Sequence, residues 1–526
     1  MTRALYFSDD IYYHYDLENK KHSEHKSLVD IGIDPKDFVI TYNQGFMMKN
    51  IQLDICIIEK IIFFQGSKNI KNLYQKYLHK AYEHKNNKGL LEAVIKVFSK
   101  QRLYVKQKGI EKQVLWECGN VGNLAYINSA VLRIKEDFVK SVDGEWGYKE
   151  NILTRDALVL HCTNKRYNIY NLGVGKFNLT HERLLSFNDE LINKHVEAEK
   201  FRGEHLYKKQ YAKETLNINH NQWGAVTGRV TTSDPNIQGI KNDIIDYENL
   251  VSFDYVAFEM MIFLSVYKPE IYKQFISSGK KDVYAFIYKQ VIGNIDYDSD
   301  EMKKNDPGKR NVFKKTILAV LYGAQWEELK FINSLEWNGF KNMHNDISEL
   351  LNLKVVNNNL MEYLRKTGRF YIGSDHHCTV GTKESNQYAD IYPQYSKFES
   401  IVSKLKENDY FEEKRDLTEY HELFTKERGL VEELNTLKSS IQRNLISYHI
   451  QGLGAMIIKT AAKYIVSAAR KSRLLILKHD EALVDVNEEG QDEIIVKAMQ
   501  DAFYDIAKGS VNVEIRKIQN TLNSGN

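Results

Sequence analysis

Val251-Ser-Phe-Asp254-Tyr255-Val-Ala-Phe-Glu259-Met-Met-Ile-Phe-Leu264 begins as an apolar strand and turns helical just after its first acid. The window from Val251 to Val266 is the most hydrophobic in the chain. It falls short of the ~20 residues that span a bilayer, and its two carboxylates would be costly there. Buried core is the remaining reading, and a carboxylate in a buried strand needs a partner. The end of a strand meets that need, because one side chain can reach a cleft while its neighbours stay packed.

About 220 residues further on, Arg473-Leu-Leu-Ile-Leu-Lys-His479-Asp480-Glu481-Ala-Leu-Val-Asp-Val486 reads as two apolar strands joined by a tight polar turn, with Asp480 at the tip. Taken singly, each acid has an ordinary explanation: turns favour Asp, and one buried Asp can accept backbone hydrogen bonds. Together they propose two carboxylates on one sheet, which repel unless cations neutralise them; hard oxygen ligands of this kind suit magnesium. Two ions about 3.5 to 4 Å apart would activate an attacking hydroxyl and stabilise the leaving oxygen of an in-line phosphoryl displacement.

Between these stretches lies Asn305-Asp306-Pro307-Gly308-Lys309-Arg310-Asn-Val-Phe-Lys314-Lys-Thr-Ile-Leu318-Ala-Val-Leu-Tyr322-Gly323. Asp306 is suited to N-cap a helix with Pro307 in its first turn. Arg310, Lys314, Leu318 and Tyr322 recur every four residues and so share one ridge, two cations followed by an apolar and an aromatic residue. Such a ridge can hold phosphates at its charged turns and pack a base at its apolar end. On spacing alone the commoner explanation is an amphipathic helix with a basic solvent face.

Composition bounds these readings. The chain has 526 residues, beyond the roughly 250 to 300 at which one core stops growing, so three or four packed units are expected. At 43% hydrophobic and 27% charged it is composed like a soluble globular protein. Its 73 basic and 70 acidic residues nearly balance, so any nucleic-acid surface must be local. Cys56, Cys118, Cys162 and Cys378 are scattered without CxxC pairing, which suits reduced thiols in a cytosol-like compartment rather than disulfides or zinc. The opening MTRALYFSDD lacks a signal-peptide apolar region, so a cytoplasmic location without a membrane span is expected.

Five prolines and no Gly/Ser-rich linker leave boundaries to be inferred from pattern. Residues 1–140 mix strand signals (Ala4 to Phe7, Ile11 to Tyr15, Phe38 to Tyr42) with helical ones (Leu53 to Phe64, Leu90 to Phe98), an α/β pattern. Residues 141–215 read as mostly helical and charged, and residues 216–526 hold the motifs. Lys404 to Lys438 reads as a solvated helical insertion.

In this order, the pieces resemble the core of family A DNA polymerases, the bacterial DNA polymerase I type also found in phages and organelles. Thr227-Gly228-Arg229-Val-Thr-Thr-Ser233-Asp234-Pro235-Asn236-Ile-Gln238 is similar to that family's TGR…S-PN-Q segment, and Asp254 through Glu259 to its first metal motif. Arg310, Lys314, Tyr322 and Gly323 match its fingers helix, His479-Asp480-Glu481 its second metal motif, and Gln451-Gly452 with Arg443 the helix preceding it. Four matches in the correct order over residues 224–486 outweigh the ordinary explanation of each.

The resemblance implies a multidomain α/β and α+β fold: a right hand of palm, fingers and thumb after a reduced ribonuclease-H-like exonuclease domain. Residues 141–215 would then form the thumb and 216–526 the palm and fingers. It implies that Asp254, Asp480 and the Tyr255 carbonyl hold two Mg2+ ions, for which Mn2+ can substitute. Arg310, Lys314, Leu318, Tyr322, Glu259 and Tyr284 would bind the incoming dNTP, with Lys314 and Glu481 assisting catalysis and Glu259 as the steric gate against a 2′-hydroxyl. Arg229, Arg443, Gln451 and His479 would contact primer-template DNA, and the enzyme would act as a monomer. The minor groove suits such contacts because all correct pairs share its acceptors.

Departures are as informative. Leu318 stands where that family usually has Phe or Tyr, Ser447 where it often has Asn, and Tyr284 where it often has a phosphate-contacting His; a phenol donates one bond and carries no charge. Thr41-Tyr-Asn43-Gln-Gly-Phe46-Met47 faintly resembles an exonuclease motif with Met47 in place of its Asp. Trp116-Glu-Cys-Gly-Asn120 resembles another, with Asn120 in place of its Asp, while Asp16-Leu-Glu18 lies too close to Asn43 for the usual first motif. A two-metal nuclease does not easily lose two carboxylates, so residues 1–140 are expected to be a degenerate, inactive exonuclease-like domain. Two rivals remain: a single-subunit RNA polymerase, against which Glu259 argues, and a catalytically silent polymerase fold serving as a DNA-binding scaffold, against which both metal carboxylates argue.

Overall fold

In the computed structural model, the run Leu250–Tyr255 is a strand whose side chains are buried on both faces apart from Asp254. A strand so apolar on both sides belongs in the middle of a covered sheet. It lies between Glu481–Val486 and Val513–Lys517 in a four-stranded antiparallel sheet, with Ser472–Leu477 at the far edge. The structure describes all residues except 1, 44, 47, 49, 64–67, 84–85, 142–151, 172–175, 178, 294–300, 330–336, 374–378, 394–395, 397–416 and 519–526.

Both faces of this sheet are core. Phe253, Tyr255 and Val484 join a large cluster with the helices Phe258–Tyr267, Leu445–Ala468 and Gln491–Ala507. Leu250, Leu475, Ile476 and Leu483 join a second cluster with residues of the 130–134 and 211–247 segments. The Tyr255 hydroxyl donates to the Met499 carbonyl at 2.6 Å, tying the central strand to the helix behind it.

The N-terminal region forms a five-stranded sheet in the order Lys21–His25, Ile11–Asp16, Thr2–Ser8, Phe38–Thr41, Gln52–Asp54. The first three strands pair antiparallel and the last two join in parallel, covered by helices such as Asn87–Lys108. The stretch expected to be helical from Leu53 is instead strand to Asp54 and helix from Ile55 to Ile62. Asp54 decides the boundary: its carboxylate accepts from the Cys56 amide at 2.8 Å and the Ile57 amide at 3.2 Å as an N-cap.

This region does not stand apart from the rest. Ala4, Ile40 and Leu73 belong to the same cluster as Phe253 and Ile457. Buried polar links cross between them. Arg369 donates to the Ile61 and Ile62 carbonyls at the end of helix Ile55–Ile62. Gln113 and Thr379 exchange bonds of 3.0 and 2.9 Å, and Lys459 pairs with Glu117 at 2.8 Å.

Residues 141–215 include the helices Arg155–Asn164, His181–Leu185 and Glu190–Tyr211, as expected, together with two short paired strands, Tyr170–Asn171 and Lys176–Phe177. Helix Leu417–Gln442 covers much of the charged 404–438 stretch, whose beginning lies outside the described residues, as does Cys378. That helix is not wholly solvated, since Leu434 and Ile441 are buried. Among the described residues no helix is long and apolar enough to cross a membrane.

Candidate active site

Strand pairing brings the two acidic motifs together. Asp254 lies opposite Glu481 in the ladder, and the Tyr255 amide donates to the Asp480 carbonyl at 3.0 Å. The chain leaves the central strand through Ala257, in the left-handed region at φ 52°, and enters helix Phe258–Tyr267 with Glu259 in its first turn. Asp254, Asp480 and Glu259 therefore converge at one end of the sheet.

Burial, then the charges of Asp480 and Glu481, push the Asp254 carboxyl up to about 7. Asp480 is also raised, by burial and then by Glu259. Glu481 behaves differently. Burial would raise it, but Ser252 Oγ at 2.5 Å, Asn242 Nδ2 at 2.8 Å and Lys478 Nζ at 3.2 Å together hold it below the usual range. Two carboxylates raised by burial and by neighbouring negative charge suit a cation, whereas the third already has its partners. Among the described residues no group of three or more His, Cys, Asp and Glu side chains is gathered as a metal cage; the candidate is this carboxylate pair.

Around the pair stands a ring of the other expected residues. Arg229 Nη2 donates to Glu259 Oε1 at 2.7 Å, and burial followed by the Glu259 charge raises the Tyr322 phenol. His479 is exposed at the turn, within electrostatic range of Arg229, Asp480 and Glu259. Tyr284 is 3% exposed. Its ring lies against the cations, with the Arg310 guanidinium 5.3 Å and Lys314 Nζ 5.5 Å from its centroid.

The helix Pro307–Leu321 carries those cations, and Asp306 caps it by accepting from the Lys309 amide at 3.1 Å. Leu318 is half-buried one turn before Tyr322. After Tyr322 the chain turns at Gly323, at φ 82°, where a Cβ would lie 3.2 Å from the Arg443 Cα. That contact joins the end of helix Pro307–Leu321 to the start of helix Leu445–Ala468, while the Arg443 side chain is exposed. Gln451 is half-buried on that helix, its amide donating to Ser447 Oγ at 3.0 Å, so the residue standing in for Asn holds Gln451 in place.

Sequence reasoning missed Asp282, which grips Arg310, and the Ser252, Asn242 and Lys478 set that grips Glu481. Asp282 carries a visible signal, an acid directly before an apolar helical run; the Glu481 set carries none, because its members come from three separate segments.

The degenerate motifs have structural partners. Asp16 ends the second strand, bonded to Arg3 and to the Glu18 and Asn19 amides; hydrogen bonds from Asn19 lead in lowering it to about 2. Asn120 donates to the Trp116 carbonyl at 3.0 Å. Met47 lies outside the described residues.

The fold that carries this sheet matches that of a solved DNA polymerase domain. The structure is similar to that of the polymerase domain of Pol1 from M. smegmatis, described in complex with DNA primer-template and dNTP, at TM-score 0.71 and 14% identity, covering 98% of this chain and 94% of that one. No family model matches the sequence, and no curated protein matches it.

Proposed function

We propose that the chain is a template-directed, primer-dependent DNA polymerase of the family A type, with the 250–255 and 472–486 strands as palm, helix Pro307–Leu321 in the fingers and residues 141–215 as thumb. The observation that carries this reading is that Asp254 and Asp480 lie close together at the end of one sheet, with Glu259, Arg229, Tyr322, Arg310 and Lys314 around them.

Asp254, Asp480 and the Tyr255 carbonyl would hold two Mg2+ ions, which when bound would supply the charge to activate a primer 3′-hydroxyl and steady the leaving pyrophosphate. Arg310 and Lys314 bind the triphosphate, held at their height by the Tyr284 ring. Glu259, fixed by Arg229, lies under the sugar and excludes a 2′-hydroxyl. Tyr322 and Leu318 pack toward the nascent pair, while Arg229, Arg443, Gln451 and His479 meet the primer-template. Glu481 orients the strand end through Ser252 and Lys478 rather than acting on the nucleotide itself.

Primer extension by the purified protein tests this. Wild type extends a primed template with dNTPs, and Asp254→Ala or Asp480→Ala reduces extension by at least about a thousandfold. Extension unchanged in both variants would refute the metal assignment and favour a silent DNA-binding scaffold. Preferential use of NTPs would favour a single-subunit RNA polymerase.

A further inference from the structure

Arg310 is not free on its ridge. Asp282 accepts from its Nε at 2.7 Å and from Nη2 at 3.2 Å, a two-pronged contact along one edge of the guanidinium. Both side chains are largely buried, at 16% and 10% exposure, so water screens the pair weakly. The same carboxylate caps helix Val283–Ile292, accepting from the Tyr284 amide at 3.1 Å and the Ala285 amide at 3.2 Å. A helix N-terminus thus anchors the acid, and the acid anchors the arginine.

The guanidinium is held on a second side as well, with its carbon 5.3 Å from the Tyr284 centroid. An edge and a face together fix both direction and plane. A guanidinium carries five N–H donors, of which Asp282 takes two. Among the described residues no acceptor engages Nη1.

We propose that Asp282 is the positioning residue for Arg310, holding its Nε/Nη2 edge so that the Nη1 end stays oriented for the phosphates of the incoming nucleotide. This rests on the polymerase reading above. Pre-orienting a long side chain removes the ordering cost that phosphate binding would otherwise carry. The edge used argues against simple competition, because an acid that masked Arg310 from phosphate would occupy its Nη1/Nη2 end.

Asp282→Asn separates the two duties of the residue. Asn remains a good N-cap, so the helix start persists, while the charge and the two-pronged contact are lost. Single-nucleotide incorporation by the full chain on a primed template is the assay. KM for dNTP rises about tenfold, with kcat, primer-template affinity and the unfolding midpoint near wild type. Placed on Arg310→Ala, the same change adds no further rise, because the group it positions is gone. Wild-type KM in D282N, a lowered KM, or additive penalties in the double variant would each overturn the proposal. A wild-type chain that extends no primer would overturn the polymerase reading and this inference with it, whereas an active wild type with an unaffected D282N overturns this inference alone.

Discussion

Magnesium binding should release protons in a pH-dependent way, and Asp254 sets the amount. Its carboxyl is pushed up to about 7 by burial and by the charges of Asp480 and Glu481. At pH 6 such a group is about nine-tenths protonated, and at pH 8 about one-tenth. A divalent cation takes the carboxylate form, so binding at pH 6 expels close to one proton from Asp254 and at pH 8 very little. Calorimetric titration of the DNA-free protein with Mg2+, repeated in buffers of different ionisation enthalpy, measures this number directly. Asp254→Asn should remove most of the pH 6 release, leaving what the raised Asp480 contributes. The same linkage fixes a stability trend. Folding raises this carboxyl, so its contribution to the stability of the metal-free fold is fully present below about pH 4 and is lost as pH climbs through about 7. A rise from 3.8 to about 7 corresponds to about 4 kcal/mol, reduced to about 2 because Asp254 keeps some contact with solvent. Mg2+ should restore thermal stability at pH 8 and have little effect at pH 5. Equal proton release at pH 6 and pH 8, or unchanged release in the Asn variant, would refute the idea that the carboxylates await a cation.

Glu259→Ala removes the proposed gate together with the partner of Arg229, and the preference for dNTP over NTP, read as a ratio of kcat/KM values, should fall at least about tenfold. An unchanged ratio removes Glu259 from sugar selection. Lys459→Met strands Glu117 in the core and should cost about 3 to 5 kcal/mol in urea unfolding, much of it recovered when Glu117→Gln is added. Gly452→Ala sets a Cβ 2.1 Å from the Ile372 carbonyl oxygen, so the helix Leu445–Ala468 must shift; a loss of about 1 to 3 kcal/mol is expected, and wild-type stability would contradict the packing. A mismatched primer end incubated with Mg2+ and no dNTP should stay intact, and trimming abolished by Asp16→Ala would restore a nuclease to the N-terminal region.

The sequence exposes the features that local chemistry dictates. Asp254 is legible because an acid closes a run of residues apolar on both faces, and Asp480 because a polar triplet interrupts two apolar strands. The Asp306 cap is legible for the same reason, an acid followed by Pro at a helix start. What stays hidden depends on which distant segments cross. Nothing in the spacing says that Asp282 turns toward Arg310, or that the Tyr284 ring lies against two cations. Lys459 is the clearest case. A lysine on a largely apolar helix ordinarily reaches out to solvent, yet Lys459 is 2% exposed, because its partner arrives from a segment 342 residues earlier.

That partner changes what the N-terminal region can be. Glu117 is the one acid inside Trp116-Glu117-Cys118-Gly119-Asn120, the stretch most like a nuclease motif. Its carboxylate accepts both 2.8 and 2.9 Å bonds from Lys459 and a 2.8 Å bond from Gln222, both on the polymerase-motif side of the chain. A carboxylate already neutralised by a buried ammonium has little charge left for a metal ion. Asp16, likewise, is occupied by Arg3 and two backbone amides. Glu117 and Asp16 are thus committed to holding the fold, and the Glu117 commitment runs across to the helix that carries Gln451. Removing residues 1–140 should therefore destabilise the polymerase core itself, since Lys459 would be left buried without its counter-charge.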